Sequence, residues 1–294
     1  MLKTGLGTDV KTYWEVTKPK IWYLLVFTAF MASLIAYSVH DIAISPLTLI
    51  LVITSVMAGS AAANTLTNYI DRDIDAKMER TRSRPIPSGR ISPRNALYYG
   101  LTLAGISIVL AYFINIWALG LMAFGLFDNV IVYSKWLKRR SLWNIILGGF
   151  SGGAPALIGY VAVTTTTIEL GLVLAGLSFL WIPTHIWSLA LHIREDYARA
   201  NVPMLPVVKS ESTSVRVIAG TTLMMVLFSV LPFFMNTFGW IYLGVASVLG
   251  AIIIAMSISL LVKPTEKKSW TLFKFSSPYL ALLFIAMYID AIVF

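Results

Sequence analysis

The chain has 294 residues, of which 57% are hydrophobic and 13% are charged, and it contains no cysteine. An average soluble domain has about 25% charged residues and needs a largely polar surface, so this composition excludes an ordinary water-soluble enzyme. The absence of cysteine excludes disulfides, thiolate metal ligands and a cysteine nucleophile.

Apolar segments of about 20 residues, the length that a helix needs to cross a bilayer, follow one another along the chain. We place nine of them, at residues 20–39, 46–70, 95–114, 116–133, 142–163, 168–192, 214–235, 239–262 and 273–294. No internal repeat divides them. The sequence therefore predicts an all-α integral membrane protein, with nine transmembrane helices in one bundle and a single domain over residues 1–294.

The cations are distributed unevenly along the chain. All 23 Lys and Arg residues lie in or beside five segments, at residues 1–20, 71–94, 134–141, 193–216 and 263–274. By the positive-inside rule these segments and the amino terminus are cytoplasmic, and the carboxyl terminus is outside. This placement accounts for the net charge of +9 without nucleic acid. We expect a multi-pass cell-membrane protein with cytoplasmic cap loops at about 71–94, 134–141 and 193–213.

The link after the second segment carries a polar stripe. Asn64, Asn68, Asp71 and Asp75 are spaced i, i+4, i+7, i+11, which places them on one helical face. Carboxylates four residues apart repel each other, so we expect a cation between them. Oxygen ligands suit Mg²⁺, which is usually bound by one or two carboxylates and substrate phosphates. Arginines that suit the phosphates follow, namely Arg80, Arg82 and Arg84. The alternative is a solvated helix end.

The link after the sixth segment carries a second stripe. His185, Ser188, His192 and Asp196 are spaced i, i+3, i+7, i+11, and Glu195 adjoins it. Polar side chains in membrane helices also serve as contacts between helices, so each histidine alone has a packing alternative. Two acidic stripes that end at the same membrane face indicate a site at the cytoplasmic edge.

A transporter is the competing class of protein, since it would also have many helices with polar side chains inside the membrane. Asp128 and Asn129 in the fourth segment favour it and have no other assigned role. Transporters place their substrate sites near the bilayer midplane, commonly between repeats. The stripes here reach the cytoplasmic edge, which favours an enzyme.

Several motifs resemble those of one family. The pattern N-x-x-D-x-x-x-D, at Asn68, Asp71 and Asp75, continues as DRDID-x-x-M-x-R-T-x-x-R-P to Pro85 and resembles the first aspartate-rich motif of the UbiA-type intramembrane prenyltransferases. The runs at residues 137–139, 144–155 and 185–207 (LKR, NIILGGFSGGAP and H-x-W-x-L-A…DY-x-x-A…P-M-L-P-V) are similar to the haem-prenylating branch of that family. One departure is that Asp196 has no second carboxylate four residues away.

The resemblance implies a Mg²⁺-dependent enzyme that transfers a farnesyl or longer prenyl group from an allylic diphosphate to a vinyl group of protohaem IX. The hydroxyalkyl product belongs to haem A-type biosynthesis. Farnesyl or geranylgeranyl diphosphate, protohaem IX and membrane lipid are the implied partners, with haem A synthase or an assembling terminal oxidase as protein partners. Sister enzymes of the family act on quinone precursors or archaeal lipids.

The resemblance also implies roles for individual residues. Asp71 and Asp75 are the implied metal ligands. Asn68 and Asp196 are implied to be catalytic, and Asp196 would act as a second acidic ligand or as an organiser of the cationic loop. The implied diphosphate ligands are Asn64, Arg80, Arg84, Lys138 and Arg139. The candidate haem ligands are His185 and His192.

Overall fold

The computed structural model describes residues 6–293. The α-helices in chain order are α1 (Leu6–Val16), α2 (Pro19–His40), α3 (Pro46–Ile70), α4 (Arg72–Lys77), α5 (Pro93–Ile114), α6 (Ile116–Phe127), α7 (Asn144–Leu147), α8 (Phe150–Val161), α9 (Glu169–His192), α10 (Arg194–Arg199), α11 (Leu205–Val208), α12 (Glu211–Ser229), α13 (Leu231–Phe234), α14 (Trp240–Val262) and α15 (Glu266–Val293). A π-helix, Asp128–Leu137, continues α6. Lys3, one of the counted cations, and Phe294, the end of the ninth predicted span, lie outside the described residues.

Nine helical segments among residues 6–293 are long and apolar enough to cross a membrane, which confirms the predicted number and order. The spanning segments α2, α3, α5, α9, α14 and α15 are single helices, and the other three combine α6 with the π-helix, α7 with α8, and α12 with α13. Two of the three apolar clusters lie among the spanning helices, one among α2, α8, α9, α12, α14 and α15 and the other among α2, α3, α5, α6 and α8. Because α2 and α8 contribute to both, they join the two halves of the bundle.

The fourth spanning segment is longer than predicted. It was expected to end at residue 133, but the π-helix carries it to Leu137. The Lys138 amide donates to the Tyr133 carbonyl at 2.8 Å, the i to i−5 bond that defines a π-helix. Part of the predicted cap loop 134–141 is therefore helical, and Lys138 stands directly at its end.

The seventh and ninth segments also begin earlier than predicted, at Glu211 and Glu266 rather than at residues 214 and 273. The Ser210 hydroxyl accepts the Thr213 amide hydrogen at 3.2 Å and so caps α12. The first turns of α15 carry Lys267 and Lys268. Apolar spans mark the lipid-crossing part of a helix, whereas capping residues decide where the helix starts.

Two buried acids inside the membrane helices serve as backbone acceptors. Asp128 accepts the Ser151 amide at 2.8 Å near the start of α8, and Asp290 accepts the amides of Gly239 and Tyr242 at the start of α14. The first N–H groups of a helix have no partner within it, so these carboxylates cap their neighbours. Asp128 thus has a structural role, which removes the main argument for a transporter.

Candidate active site

The two predicted metal ligands lie where α3 gives way to α4. α3 ends at Ile70, and Asp71 separates it from α4, so the polar stripe spans two helices rather than one. Helical bonding nevertheless continues, since the Asp71 amide donates to the Thr67 carbonyl and the Asp75 amide to the Asp71 carbonyl, both at 2.8 Å. Asp71 and Asp75 are buried, at 2% and 3% exposure.

Each of these carboxylates has its own cation. Lys138 Nζ lies 2.5 Å from Asp71 Oδ2, and Arg84 Nη1 donates to both oxygens of Asp75 at 2.8 and 2.9 Å. The expected cations are therefore present in the chain itself, and binding of Mg²⁺ by the two carboxylates stays a prediction. Burial acts to lower the pKa of Lys138, but the Asp71 carboxylate, together with Tyr133 and Tyr197, outweighs burial and raises the pKa. Lys138 is accordingly charged.

One oxygen of this cluster has no partner. Asp71 Oδ1 is buried and accepts no hydrogen bond from the described residues. An unpaired buried carboxylate oxygen is costly, so its position indicates a ligand. Among residues 6–293 no group of three His, Cys, Asp or Glu side chains is arranged to hold a metal. Two carboxylates with amide oxygens nearby fit Mg²⁺, which takes its remaining ligands from phosphates and water.

Lys18 belongs to the same cluster, although the sequence identified it only as a determinant of orientation. It links α1 to α2 in the left-handed backbone region, with φ 53° and ψ 62°. Burial lowers the pKa of Lys18 to about 7; Arg84 and Lys138 act in the same direction, while Asp75 and Asp71 oppose them. Three basic side chains, those of Lys18, Arg84 and Lys138, thus surround two acids. The sequence carries no local signal for this role, since it depends on where α1 ends.

Asn68 holds the Lys18 segment against α3. Its Nδ2 donates to the carbonyl of Val16, the last residue of α1, at 2.7 Å. Its Oδ1 lies 3.5 Å from Arg84 Nη1. Asn64, one turn deeper, donates to the Ser60 carbonyl at 2.9 Å within its own helix. Asn68 is therefore a positioning residue for two of the cations.

Asp196 connects two of the predicted cap loops. Its carboxylate accepts the backbone amides of Glu79 and Arg80, at 3.2 and 3.3 Å, and a hydrogen bond from Arg199. Burial acts to raise its pKa, but these donors outweigh burial and lower the pKa. Asp196 thus anchors the loop that carries Arg84. This geometry favours the organising role over that of a second metal ligand.

Two of the predicted diphosphate ligands, Arg139 and Arg80, have neighbours other than Asp71 and Asp75. Arg139 donates to both oxygens of Asp73, at 2.6 and 2.7 Å, and to the Ile70 carbonyl at 2.8 Å. The hydrogen bond from Arg139 lowers the pKa of Asp73. The Arg80 side chain is exposed and lines a separate cleft. Their contact with diphosphate stays a prediction, and the geometry gives Arg139 a structural role.

His185 is packed between two helices. Its ring lies between Trp181 and Phe273, with ring centroids 4.2 and 4.3 Å away, and its Nδ1 lies 2.7 Å from Ser276 Oγ. Phe273 and Ser276 belong to α15. His185 therefore has the packing role that the sequence left open.

His192 lies in a different environment. Its ring stacks on Trp270 at 4.8 Å, and its Nδ1 is buried without a hydrogen-bond partner among the described residues. It lines a cleft of about 740 Å³, most of whose lining residues are charged. The charged side chains of this cleft are Glu79, Arg80, Arg194, Glu195, Asp196, Arg199, Glu211 and Glu266. The cleft can accept a ligand with carboxylates near its arginines.

A second, largely apolar cavity lies deeper in the membrane, between α2, α3, α6 and α8. The end nearer to Asp71 is polar and is lined by Asn64, Asn129 and Ser151. Its deep end is lined by Val56, Leu121, Met122 and Ile158. The polar end is about 10 Å along the axis of α3 from Asp71, at 1.5 Å per residue. The apolar part of the cavity therefore lies on the membrane side of the acidic cluster, about two turns of α3 or more from Asp71.

Comparisons with known proteins agree with this architecture. Residues 23–285 match the UbiA prenyltransferase family. Protoheme IX farnesyltransferase 2 of Cenarchaeum symbiosum (strain A) is 54% identical over 306 residues, which cover 99% of both chains. A solved digeranylgeranylglyceryl phosphate synthase has the same fold, with a TM-score of 0.80, 24% identity and coverage of 97% of this chain and 99% of that one.

A UbiA homolog from Archaeoglobus fulgidus, solved with DMAPP and Mg²⁺, also shares the fold. It has a TM-score of 0.65 and 17% identity, and the alignment covers 96% of this chain and 99% of that one. The family match covers most of the chain, and the 54% identical relative matches it from end to end. This chain belongs to the UbiA prenyltransferase family.

Proposed function

We propose that this protein transfers a farnesyl or longer prenyl group from its diphosphate to a vinyl group of protohaem IX, giving a hydroxyalkyl haem of the haem O type. The observation that carries the proposal is the buried pair Asp71 and Asp75, which pairs with Lys138 and Arg84 beside Lys18 and lies about 10 Å along α3 from the polar end of an apolar cavity. A prenyl diphosphate has the complementary shape, with an anionic head and an apolar tail.

The chain's own residues account for the binding of the diphosphate. Asp71 and Asp75 would hold Mg²⁺, which supplies positive charge against the departing diphosphate when bound. Arg84 and Lys138 neutralise these acids in the free protein and would turn to phosphate oxygens once the acids bind metal. With Lys18 they stabilise the negative charge that develops as the carbon–oxygen bond breaks. The apolar cavity keeps water from the allylic cation.

The acceptor supplies the electrons for the new bond. The allylic carbon bonds to the terminal vinyl carbon, and water adds to the resulting cation beside the porphyrin with loss of a proton. The name of the 54% identical relative supports haem as the acceptor. The cleft beside His192 supports it too, because its arginines match propionates and a neutral imidazole is a common haem-iron ligand.

The direct test is product analysis. We expect purified protein with Mg²⁺, farnesyl diphosphate and protohaem IX to yield a haem whose mass has increased by one farnesyl group and one hydroxyl. Prenylation of a quinone precursor or an archaeal lipid, with haem left unchanged, would overturn the acceptor and leave the diphosphate mechanism standing.

The two histidines are expected to differ in their effect on haem binding. We expect His192→Ala to change the visible absorption spectrum of bound haem, because it removes the candidate ligand. His185→Ala should leave the spectrum unchanged and lower the thermal stability, because it removes a packed ring. His40→Ala, on the other side of the membrane, is the control; His40 contacts Tyr160 instead. An unaltered spectrum in His192→Ala would show that this histidine is structural.

We propose a cell-membrane location with the site on the cytoplasmic face, as the cation distribution indicates. Because the chain lacks cysteine, single cysteines at the exposed positions Ser88 and Thr165 can be labelled without background. A membrane-impermeant reagent added to intact cells should label the Thr165 variant only. Labelling of the Ser88 variant in sealed cells would reverse the orientation.

A further inference from the structure

One of the residues at the deep end of the apolar cavity, Met122, has a flexible side chain. Met122 on α6 lies over Gly59 on α3, so close that a Cβ on Gly59 would overlap its sulfur. Both residues line the cavity, and Met122 is 5% exposed. The thioether occupies space that the missing side chain of Gly59 leaves free.

Beyond Met122 the protein is packed. Val52 and Val56 of α3, Ala111 of α5 and Ala118 of α6 form an apolar cluster with Met122, and each of them is at most 1% exposed. Ala118 lies one turn further along the same face of α6 as Met122. Ala111 and Ala118 are the small members of this cluster, which also contains the larger Ile158, and Met122 packs among them.

The distance from the metal ligands to this end is limited. Gly59, over which Met122 lies, and Asp71 are about 18 Å apart along α3 at 1.5 Å per residue. The diphosphate and the first isoprene units take up this length, so a longer tail must pass Met122. Its side chain is thus placed to meet the end of the prenyl group.

We propose that Met122, seated over Gly59, determines the longest prenyl chain that this protein accepts. The inference rests on the proposed use of a prenyl diphosphate and holds whichever acceptor receives the group. Shortening Met122 opens space toward Ala118, whereas adding a side chain at Gly59 drives the thioether into the cavity.

Binding separates this inference from the proposed transfer to haem. The affinities of purified protein with Mg²⁺ for the inert thiodiphosphates of geranyl, farnesyl and geranylgeranyl chains are measured by calorimetry. We expect Met122→Ala to raise the affinity ratio of geranylgeranyl to farnesyl about tenfold, since even single methylenes in a pocket change discrimination by that factor. Gly59→Ala should shift the preference toward geranyl. Phe124→Ala, exposed on the same helix, is the matched control.

The outcomes are distinct. If Met122→Ala and Gly59→Ala bind the farnesyl compound but leave the chain-length ratios of the wild type unchanged, Met122 does not set the limit. If the wild type binds none of the three thiodiphosphates, the proposed function and this inference fall together. If binding shifts as expected while haem is not prenylated, the inference stands and only the acceptor is wrong.

Discussion

Replacing Asp71 with asparagine is expected to lower the rate of prenyl transfer about a thousandfold or more, because binding of Mg²⁺ by this carboxylate is worth several kcal/mol in the transition state. Excess chelator should do the same to the wild type. The measurement is turnover of farnesyl diphosphate by purified protein. Asp73→Asn is the matched control, since Asp73 belongs to the same motif but is exposed and pairs with Arg139.

The ion pair with Lys138 complicates this variant, because Asp71→Asn leaves a buried cation without its partner. Breaking a buried pair on one side costs about 3–5 kcal/mol, so the single variant is expected to be less stable. The double variant Asp71→Asn with Lys138→Met removes both charges and should recover stability. It should nevertheless stay inactive. Activity that survives Asp71→Asn in excess chelator would exclude the metal mechanism.

Lys18→Met is expected to weaken binding of the prenyl diphosphate about 10–100-fold, the usual value of one hydrogen bond between charged groups. Lys18→Arg should retain most of the affinity because it keeps the charge. Lys20→Met is the control, since Lys20 is exposed two residues further on. Equal affinities in wild type and Lys18→Met would place Lys18 outside the site.

The same residue should make binding depend on pH. In the free protein the pKa of Lys18 is lowered from 10.5 to about 7, so the side chain loses its proton above pH 7. A bound diphosphate favours the protonated form, and the affinity of the wild type should fall by up to about tenfold per pH unit above 7. The ratio of wild-type to Lys18→Met affinities isolates this effect from titration of the ligand. A ratio that stays constant between pH 7 and 9 would contradict it.

The sequence by itself determined the membrane architecture. Each spanning segment is recognised from its own residues, because a helix in lipid satisfies its backbone hydrogen bonds internally and needs only an apolar surface. A sum over cations predicts the orientation, and the spacing of Asp71 and Asp75 places them on one side of the chain whatever packs against them. Each of these properties depends on a local stretch of sequence or on a count of residues. Predicting them therefore does not require knowing which helices are neighbours.

Only the tertiary structure decided which charges meet. Asp71 pairs with Lys138, 67 residues away, and Asp196 reaches the loop at Glu79 across 117 residues. The different environments of His185 and His192 likewise depend on side chains of α15. Periodicity shows which residues share a face but not what packs against that face. The energy of a buried charge depends on its immediate neighbours, and the fold brings those neighbours from distant parts of the chain.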